Sequence, residues 1–103
     1  MSYPCILSYG QSIHEEIDDE RHRQEGFVKS GRFARTCASM EMTDGERYAV
    51  LGEEFGEVGR AILEKMRLAN DTHHKDLRKE LIQVAAVCVA WIQGLDADPA
   101  HAD

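Results

Sequence analysis

Cysteine is scarce in this chain, and its spacing suggests no pair. The 103 residues contain three cysteines, Cys5, Cys37 and Cys88, which lie far apart and form no Cys-x-x-Cys motif. An odd number of cysteines at such spacing argues against a disulfide framework and against a zinc site. Unpaired cysteines are typical of a reducing cytosol, so we expect a cytoplasmic location.

An excess of basic residues is also missing. The chain carries 19 acidic and 12 basic residues, which gives a formal net charge of −7. Duplex nucleic acid and anionic membranes both require a basic face, so we expect neither as a partner. An acidic chain can still bind a small phosphorylated ligand if its carboxylates first bind a divalent metal ion.

Long hydrophobic runs are absent as well. The most apolar stretch, Leu81 to Leu95, is too short to span a bilayer and contains Gln83 and Gln93. No basic segment followed by an apolar one occurs at the N-terminus, so no signal peptide is evident. These features again predict that the protein has no membrane partner.

The patterns that are present predict an all-α fold in a single domain. Residues 1–103 are enough for one hydrophobic core, and we expect tails at about residues 1–11 and 96–103. A domain of this size buries only part of its surface and is often marginally stable alone. We therefore expect a helical bundle whose core is completed by oligomerisation.

The first predicted helix is polar and should lie on the outside of the bundle. Ser12 and Glu15 have the spacing of a capping box at its start, and it should run to about Gln24 and stop near Gly26. The following stretch, Phe27 to Met42, has no clear period and favours a loop.

The second predicted helix begins with a capping box formed by Thr43 and Glu46 and should end near Asn70. Its apolar residues recur in steps of three and four, which predicts a buried stripe: Tyr48, Leu51, Phe55, Val58, Ile62 and Met66. Three glycines beside this stripe, Gly52, Gly56 and Gly59, suggest that another backbone approaches closely.

The third predicted helix starts near Asp71 or Thr72. From Leu81 to Ile92 almost every position is apolar, so this helix must be covered on all sides. We expect it to pack antiparallel to the second helix, and we expect another subunit to cover the rest of it.

The clearest candidates for metal-binding or catalytic residues are glutamates on the second and third helices. Glu54 and Glu57 lie on neighbouring turns and flank the predicted stripe, whereas Glu53 should face away from it. Glu80 lies beside apolar residues of the third helix. Carboxylates in such places need partners, and a hard cation such as Mg²⁺ is one candidate. Ion pairs of Glu54 with Arg47 and of Glu57 with Arg60 are the alternative.

The order of these motifs resembles a known family. Glu54-Phe-Gly-Glu57, followed after 22 residues by Glu80-Leu-Ile-Gln83, resembles the MazG-like group of the all-α nucleoside triphosphate pyrophosphohydrolase superfamily. The likeness covers roughly residues 12–95. It implies a Mg²⁺- or Mn²⁺-dependent enzyme that hydrolyses a nucleoside triphosphate, ribo or deoxyribo, to the monophosphate and pyrophosphate. The apolar third helix, which needs a cover, separately predicts a homodimer or homotetramer.

The resemblance implies roles for individual residues. Glu54, Glu57 and Glu80 match the metal-binding carboxylates, and Gln83 stands where the family has an Asp. A Gln carbonyl can bind Mg²⁺ but brings no charge. Glu57 or Glu53 would accept the proton of the attacking water.

Basic and amide side chains elsewhere are candidate substrate contacts. The likeness places Arg21, Arg23 and Gln24 near a nucleotide pocket, although surface positions are the alternative. Arg35, with Lys29 and Arg32, could meet a triphosphate, and a solvated loop is the alternative. Lys79 could contact a phosphate or balance Glu80.

Two other functions stay open at this point. One is a helical oligomer that binds a nucleotide or a protein partner with a decayed enzyme site, for which Gln83 is the main argument. The other is a pyrophosphohydrolase that acts on a phosphoribosyl nucleotide or another specialised substrate.

Overall fold

The fold consists of three long helices. The computed structural model describes residues 4–68 and 73–101, in which the helices are α1 (Pro4–Lys29), α2 (Asp44–Leu68) and α3 (His73–Ala97). A short 3-10 helix, Pro99–His101, follows α3. The described residues contain no β-strand, so the predicted all-α class is confirmed.

The first helix is longer than the sequence predicted. α1 begins at Pro4, so the predicted N-terminal tail is wrong for residues 4–11, and Ser12 lies inside the helix rather than at its cap. Proline is well tolerated in the first helical turn, which explains the earlier start. The helix passes through Gly26 and ends at Lys29, just before Gly31 adopts a left-handed φ of 81°.

The other predicted ends have mixed outcomes. The predicted C-terminal tail is wrong in part, because Asp96 and Ala97 belong to α3 and the short 3-10 helix follows. The predicted end of the second helix near Asn70, and the start of the third near Asp71 or Thr72, lie outside the described residues.

The capping box at the start of α2 is confirmed. The backbone N–H of Glu46 donates to Oγ1 of Thr43 at 3.1 Å. The backbone N–H of Thr43 donates to Oε1 of Glu46, also at 3.1 Å. Two donors that a helix start would leave without partners are thus satisfied, which fixes where α2 begins.

Both outer helices pack against α3. Trp91, near the end of α3, donates from Nε1 to Asp44 at the start of α2 at 3.0 Å, so α2 and α3 are antiparallel, as predicted. α1 runs in the same direction as α3, because Glu16 pairs with Arg78 and the later Arg21 bonds to Gln93. The small core between them comprises Cys37, Val87 and Ala90, with Ala38, Met42, Val50 and Leu51 packed against it.

α2 presents a different face to α3 than the sequence predicted. Its buried residues are Arg47 and Ala61, and Glu54 is half-buried on the same side. Four residues of the predicted buried stripe are instead exposed by between 44% and 76%: Tyr48, Phe55, Ile62 and Met66. The prediction that this stripe is buried is therefore wrong for these four residues, whereas Leu51 packs against the core.

The glycines of α2 are not needed for close packing within the chain. A Cβ added at Gly52, Gly56 or Gly59 would meet no described atom within 4 Å. Together with the exposed apolar side chains, they form one open face of α2 along residues 48–66, which we call the outer α2 face.

By length and composition, residues Asp76–Ala97 of α3 could also cross a membrane. The apolar run from Leu81 to Leu95 is too short to cross a bilayer, but the helical segment that contains it, at 22 residues, is long enough. The central helix of a soluble protein has the same properties.

Candidate metal centre

Glu54 on α2 and Glu80 on α3 each bury a carboxylate oxygen that has no hydrogen-bond partner in the described part of the chain. Among the described residues, Oε2 of Glu54 and Oε2 of Glu80 are the buried side-chain oxygens that receive no hydrogen bond. Burying an acceptor without a donor costs about 1–3 kcal/mol, and more for a charged group. These two oxygens are therefore the clearest polar defect of the fold.

Burial and neighbouring carboxylates make the surroundings of Glu54 unfavourable for its own negative charge. Burial raises the pKa of Glu54 above its ordinary value of 4.5, and the negative charge of Glu80 raises it further. Smaller increases come from Glu57, Glu20 and Glu53, in that order. A cation would relieve both effects, because it favours the ionised carboxylate.

The alternative ion pairs have different outcomes. Glu57 does contact Arg60, with 3.3 Å between Oε1 and Nη2, and its side chain is 42% exposed. Arg47 does not neutralise Glu54, since its hydrogen bonds go to Asp44 and to the carbonyls of Cys37 and Ser39. An exposed pair such as Glu57–Arg60 contributes little stability, so Glu57 can exchange its partner at low cost.

The four predicted metal ligands are only partly assembled. Within the part of the chain that the structure describes, no three His, Cys, Asp or Glu side chains are grouped closely enough to hold an ion. Glu54 and Glu80 supply the unpartnered oxygens, and Glu57 points to Arg60. Gln83 lines a cavity together with Glu54. Glu53 is exposed, as the helical wheel predicted.

This cavity has a volume of about 290 Å³ and extends from Glu54 to the end of α1. Its far wall is aromatic: the rings of Phe27 and Phe33 meet edge to face with centroids 5.0 Å apart. The guanidinium groups of Arg32 and Arg23 lie 4.7 and 4.9 Å from the Phe27 ring. The cavity thus joins carboxylates, an aromatic surface and cations.

The predicted substrate-binding residues divide into two groups. Arg23, Gln24 and Arg35 line this cavity, and Lys79 lines a neighbouring one of about 370 Å³ that also includes Gln83. Arg35 pairs with Glu46 at 2.5 Å.

Arg21 has a different position. It is 7% exposed, and its guanidinium donates to Gln93, Gln24 and Glu25. Its bonds link α1 to α3, so we assign it a structural role in place of the predicted substrate contact.

Sequence reasoning missed three residues of this region. Glu20 is 12% exposed in its side chain and lines both cavities. Its spacing of three and four from Arg23 and Gln24 was the available signal, because such residues share a helix face. Phe27 and Phe33 follow no period, so no pattern could have identified them as one wall.

Comparisons with protein-family models, with curated proteins and with solved structures found no match to this chain.

Proposed function

We propose that this protein is a cytoplasmic, Mg²⁺-dependent nucleoside triphosphate pyrophosphohydrolase, for which Mn²⁺ can replace Mg²⁺. The observation that carries the proposal is the pair of buried oxygens of Glu54 and Glu80 that receive no hydrogen bond from the described residues. Glu54 also lines the cavity. Carboxylate oxygens without protein donors suit a hard cation. The motif order described above supplies the reaction class.

The donor set fits a magnesium ion. Glu54 and Glu80 would hold it, Glu57 would join them after leaving Arg60, and the side-chain carbonyl of Gln83 would add a neutral oxygen. When bound, Mg²⁺ neutralises charge on phosphate oxygens and lowers the pKa of a coordinated water.

The protein's own residues then bind and orient the nucleotide. The Phe27–Phe33 wall offers a surface on which a base can stack, and Arg23 and Arg35 can face the phosphates. Water adds at phosphorus, the bond between the α- and β-phosphates breaks, and the products are a nucleoside monophosphate and pyrophosphate. Glu57 is the better placed proton acceptor, since Glu53 points to solvent.

We also propose that a second copy of the chain covers the outer α2 face. Tyr48, Phe55 and Ile62 are seven residues apart and exposed, the spacing of residues along a helix–helix seam. The open glycines beside them would allow close approach of the second helix. Light scattering at micromolar concentration should show a dimer or tetramer, and Phe55→Glu should dissociate it. A stable wild-type monomer would contradict this assembly.

The contacts and polar side chains of α3 support a soluble location. Its side chains include Glu80, which buries a carboxylate oxygen, and Gln83, which lines the cavity, and both α1 and α2 pack against it. A bilayer-spanning helix would have to leave these contacts and bury a carboxylate in hydrocarbon.

The activity is tested with a panel of ribo- and deoxyribonucleoside triphosphates and Mg²⁺. Pyrophosphate and monophosphate should form together, without orthophosphate, and Glu80→Gln should abolish their formation. Glu64→Gln removes the same charge from an exposed position of α2 and should leave the rate unchanged. Release of orthophosphate, or equal rates for wild type and Glu80→Gln, would contradict the proposal. A phosphoribosyl nucleotide in the same panel tests the specialised substrate class.

A nucleotide-binding oligomer without activity is the second candidate. Two observations favour it: Gln83 is neutral, and the described carboxylates form no ready three-ligand group. Nucleotide binding by calorimetry without any product in the panel would support this candidate instead.

A further inference from the structure

Glu20 occupies an unusual position for a residue of a polar outer helix. Its side chain is 12% exposed. It lines one cavity together with Glu54 and Gln83, and the neighbouring cavity together with Gln83 and Lys79. Glu20 is therefore the point at which α1 brings a negative charge to the cavity that Glu54 of α2 and Gln83 of α3 also line.

Among the described residues, the groups that donate hydrogen bonds to Glu20 lie on its own helix. Nε and Nη2 of Arg23 donate to the two carboxylate oxygens of Glu20 at 2.8 and 2.7 Å. Nε2 of Gln24 adds a longer contact of 3.4 Å. Arg23 is 50% exposed, so its guanidinium can move into solvent while the carboxylate of Glu20 stays in the cavity. Pairs three residues apart on a helix contribute only a few tenths of a kcal/mol.

We propose that Glu20 is a metal ligand of this centre and supplies from α1 the negative charge that neutral Gln83 does not supply from α3. Arg23 holds Glu20 when no metal is bound. This inference rests on the proposed metal-dependent function. The affinity of an oxygen site for a divalent cation depends on how many of its ligands are charged. Release from Glu20 also leaves Arg23 free, in the same cavity, to contact a phosphate.

Calorimetric titration of Mn²⁺ into the metal-free protein tests the assignment. Glu20→Gln should weaken binding about tenfold or more. Glu15→Gln removes the same charge from an exposed position of the same helix and should bind as wild type does. The double variant Glu20→Gln with Gln83→Asp returns one charge from α3 and should regain most of the affinity. Equal affinities for Glu20→Gln and Glu15→Gln would overturn the inference.

Failure of this inference can be distinguished from failure of the proposed function. If wild type binds Mn²⁺ and Glu54→Gln does not, while Glu20→Gln binds normally, the centre exists and Glu20 is not part of it. If wild type itself binds no Mn²⁺, with or without nucleotide, the proposed function falls and the role of Glu20 falls with it.

A second variant decides the matter if Glu20→Gln does not fold. Arg23→Gln removes the group that occupies Glu20, so it should tighten Mn²⁺ binding. Arg32→Gln removes an equal charge from the same cavity without freeing Glu20, and should have the smaller effect. Equal effects of the two variants would mean that Arg23 does not compete with the metal, and would overturn the proposal.

Discussion

Charged side chains are buried in two places between α2 and α3, and the two places differ in whether the buried groups have hydrogen-bond partners. At one end, Arg47 is 5% exposed and donates to the carbonyls of Cys37 and Ser39 and to Asp44. About two helical turns further along α2, Glu54 buries an oxygen that has no donor among the described residues, and so does Glu80 of α3. We call these two places the arginine end and the glutamate end.

The presence of hydrogen-bond partners at the arginine end bears on the role of the glutamate end. The arginine end shows that this small chain can satisfy a buried charge with its own groups. Arg21, buried between α1 and α3, is satisfied in the same way by Gln93, Gln24 and Glu25. For the glutamate end we therefore propose a cation from outside the chain in place of a donor from the described residues.

The largest effect is expected from breaking the arginine end with Gly94→Ala. The added Cβ would overlap Nη2 of Arg47 and lie 2.9 Å from the carbonyl oxygen of Cys37. Because a backbone atom cannot yield easily, the variant should lose about 2–3 kcal/mol of stability, which lowers the melting temperature by about 10 °C or more. Circular dichroism measures the transition.

Gly26→Ala is the matched control for that change. Gly26 is exposed inside α1, and an added Cβ would meet no described atom within 4 Å. This variant should gain up to about 1 kcal/mol from the better helix propensity of alanine. If both variants melt alike, Gly94 does not make room for Arg47.

The next effect concerns the glutamate end and metal. Mg²⁺ or Mn²⁺ should raise the melting temperature, since an ion that binds only the folded state at about 100 times its Kd adds about 2.7 kcal/mol. Glu57→Gln should reduce the shift, whereas Glu64→Gln should keep it. Identical melting curves with metal and with a chelator would mean that the carboxylates form no centre.

A smaller effect should appear without metal in Glu54→Gln. The pKa of Glu54 is raised in the folded protein, so above pH 4.5 the unfolded chain gives up this proton before the folded one does. Stability therefore falls as pH rises from 4.5 to the raised pKa, and the full loss persists above it. Glu54→Gln removes this fall and should be more stable at pH 7 by about 1 kcal/mol.

Urea unfolding at a series of pH values measures this difference. Its size should grow from pH 4.5 upward and then level off. Glu53→Gln, at an exposed position, serves as the comparison and should show little of it. A wild type that is more stable than Glu54→Gln at pH 7 without metal would show that the carboxylate has a partner after all.

Local patterns in the sequence predicted part of this molecule well. The capping box of Thr43 and Glu46 depends on residues three apart, so it survives any tertiary arrangement. The antiparallel packing of α2 and α3 was also predicted and is confirmed. The same local reasoning wrongly placed the start of α1 at Ser12. The spacing of a capping box does not show whether the helix begins earlier in the sequence, as it does here at Pro4.

The orientation of α2 could not be predicted in this way. A helical wheel shows which residues share a face, but not which face the rest of the chain will cover. Here α3 covers the side with Arg47, Glu54 and Ala61, and leaves Phe55 and Ile62 outside. The helical spacing shows that Glu20 shares a face with Arg23 and Gln24, but its place beside Glu54 depends on how α1 lies in the bundle.

The central claim is that the unpartnered oxygens of Glu54 and Glu80 hold one divalent cation between them. Titration of Mn²⁺ into the metal-free protein, followed by electron paramagnetic resonance of the free ion, tests it most directly. We expect wild type and Glu64→Gln to bind Mn²⁺ alike, and either Glu54→Gln or Glu80→Gln to remove that binding. The double variant should then lose no more than each single one. Undiminished binding in Glu54→Gln and Glu80→Gln would contradict the account.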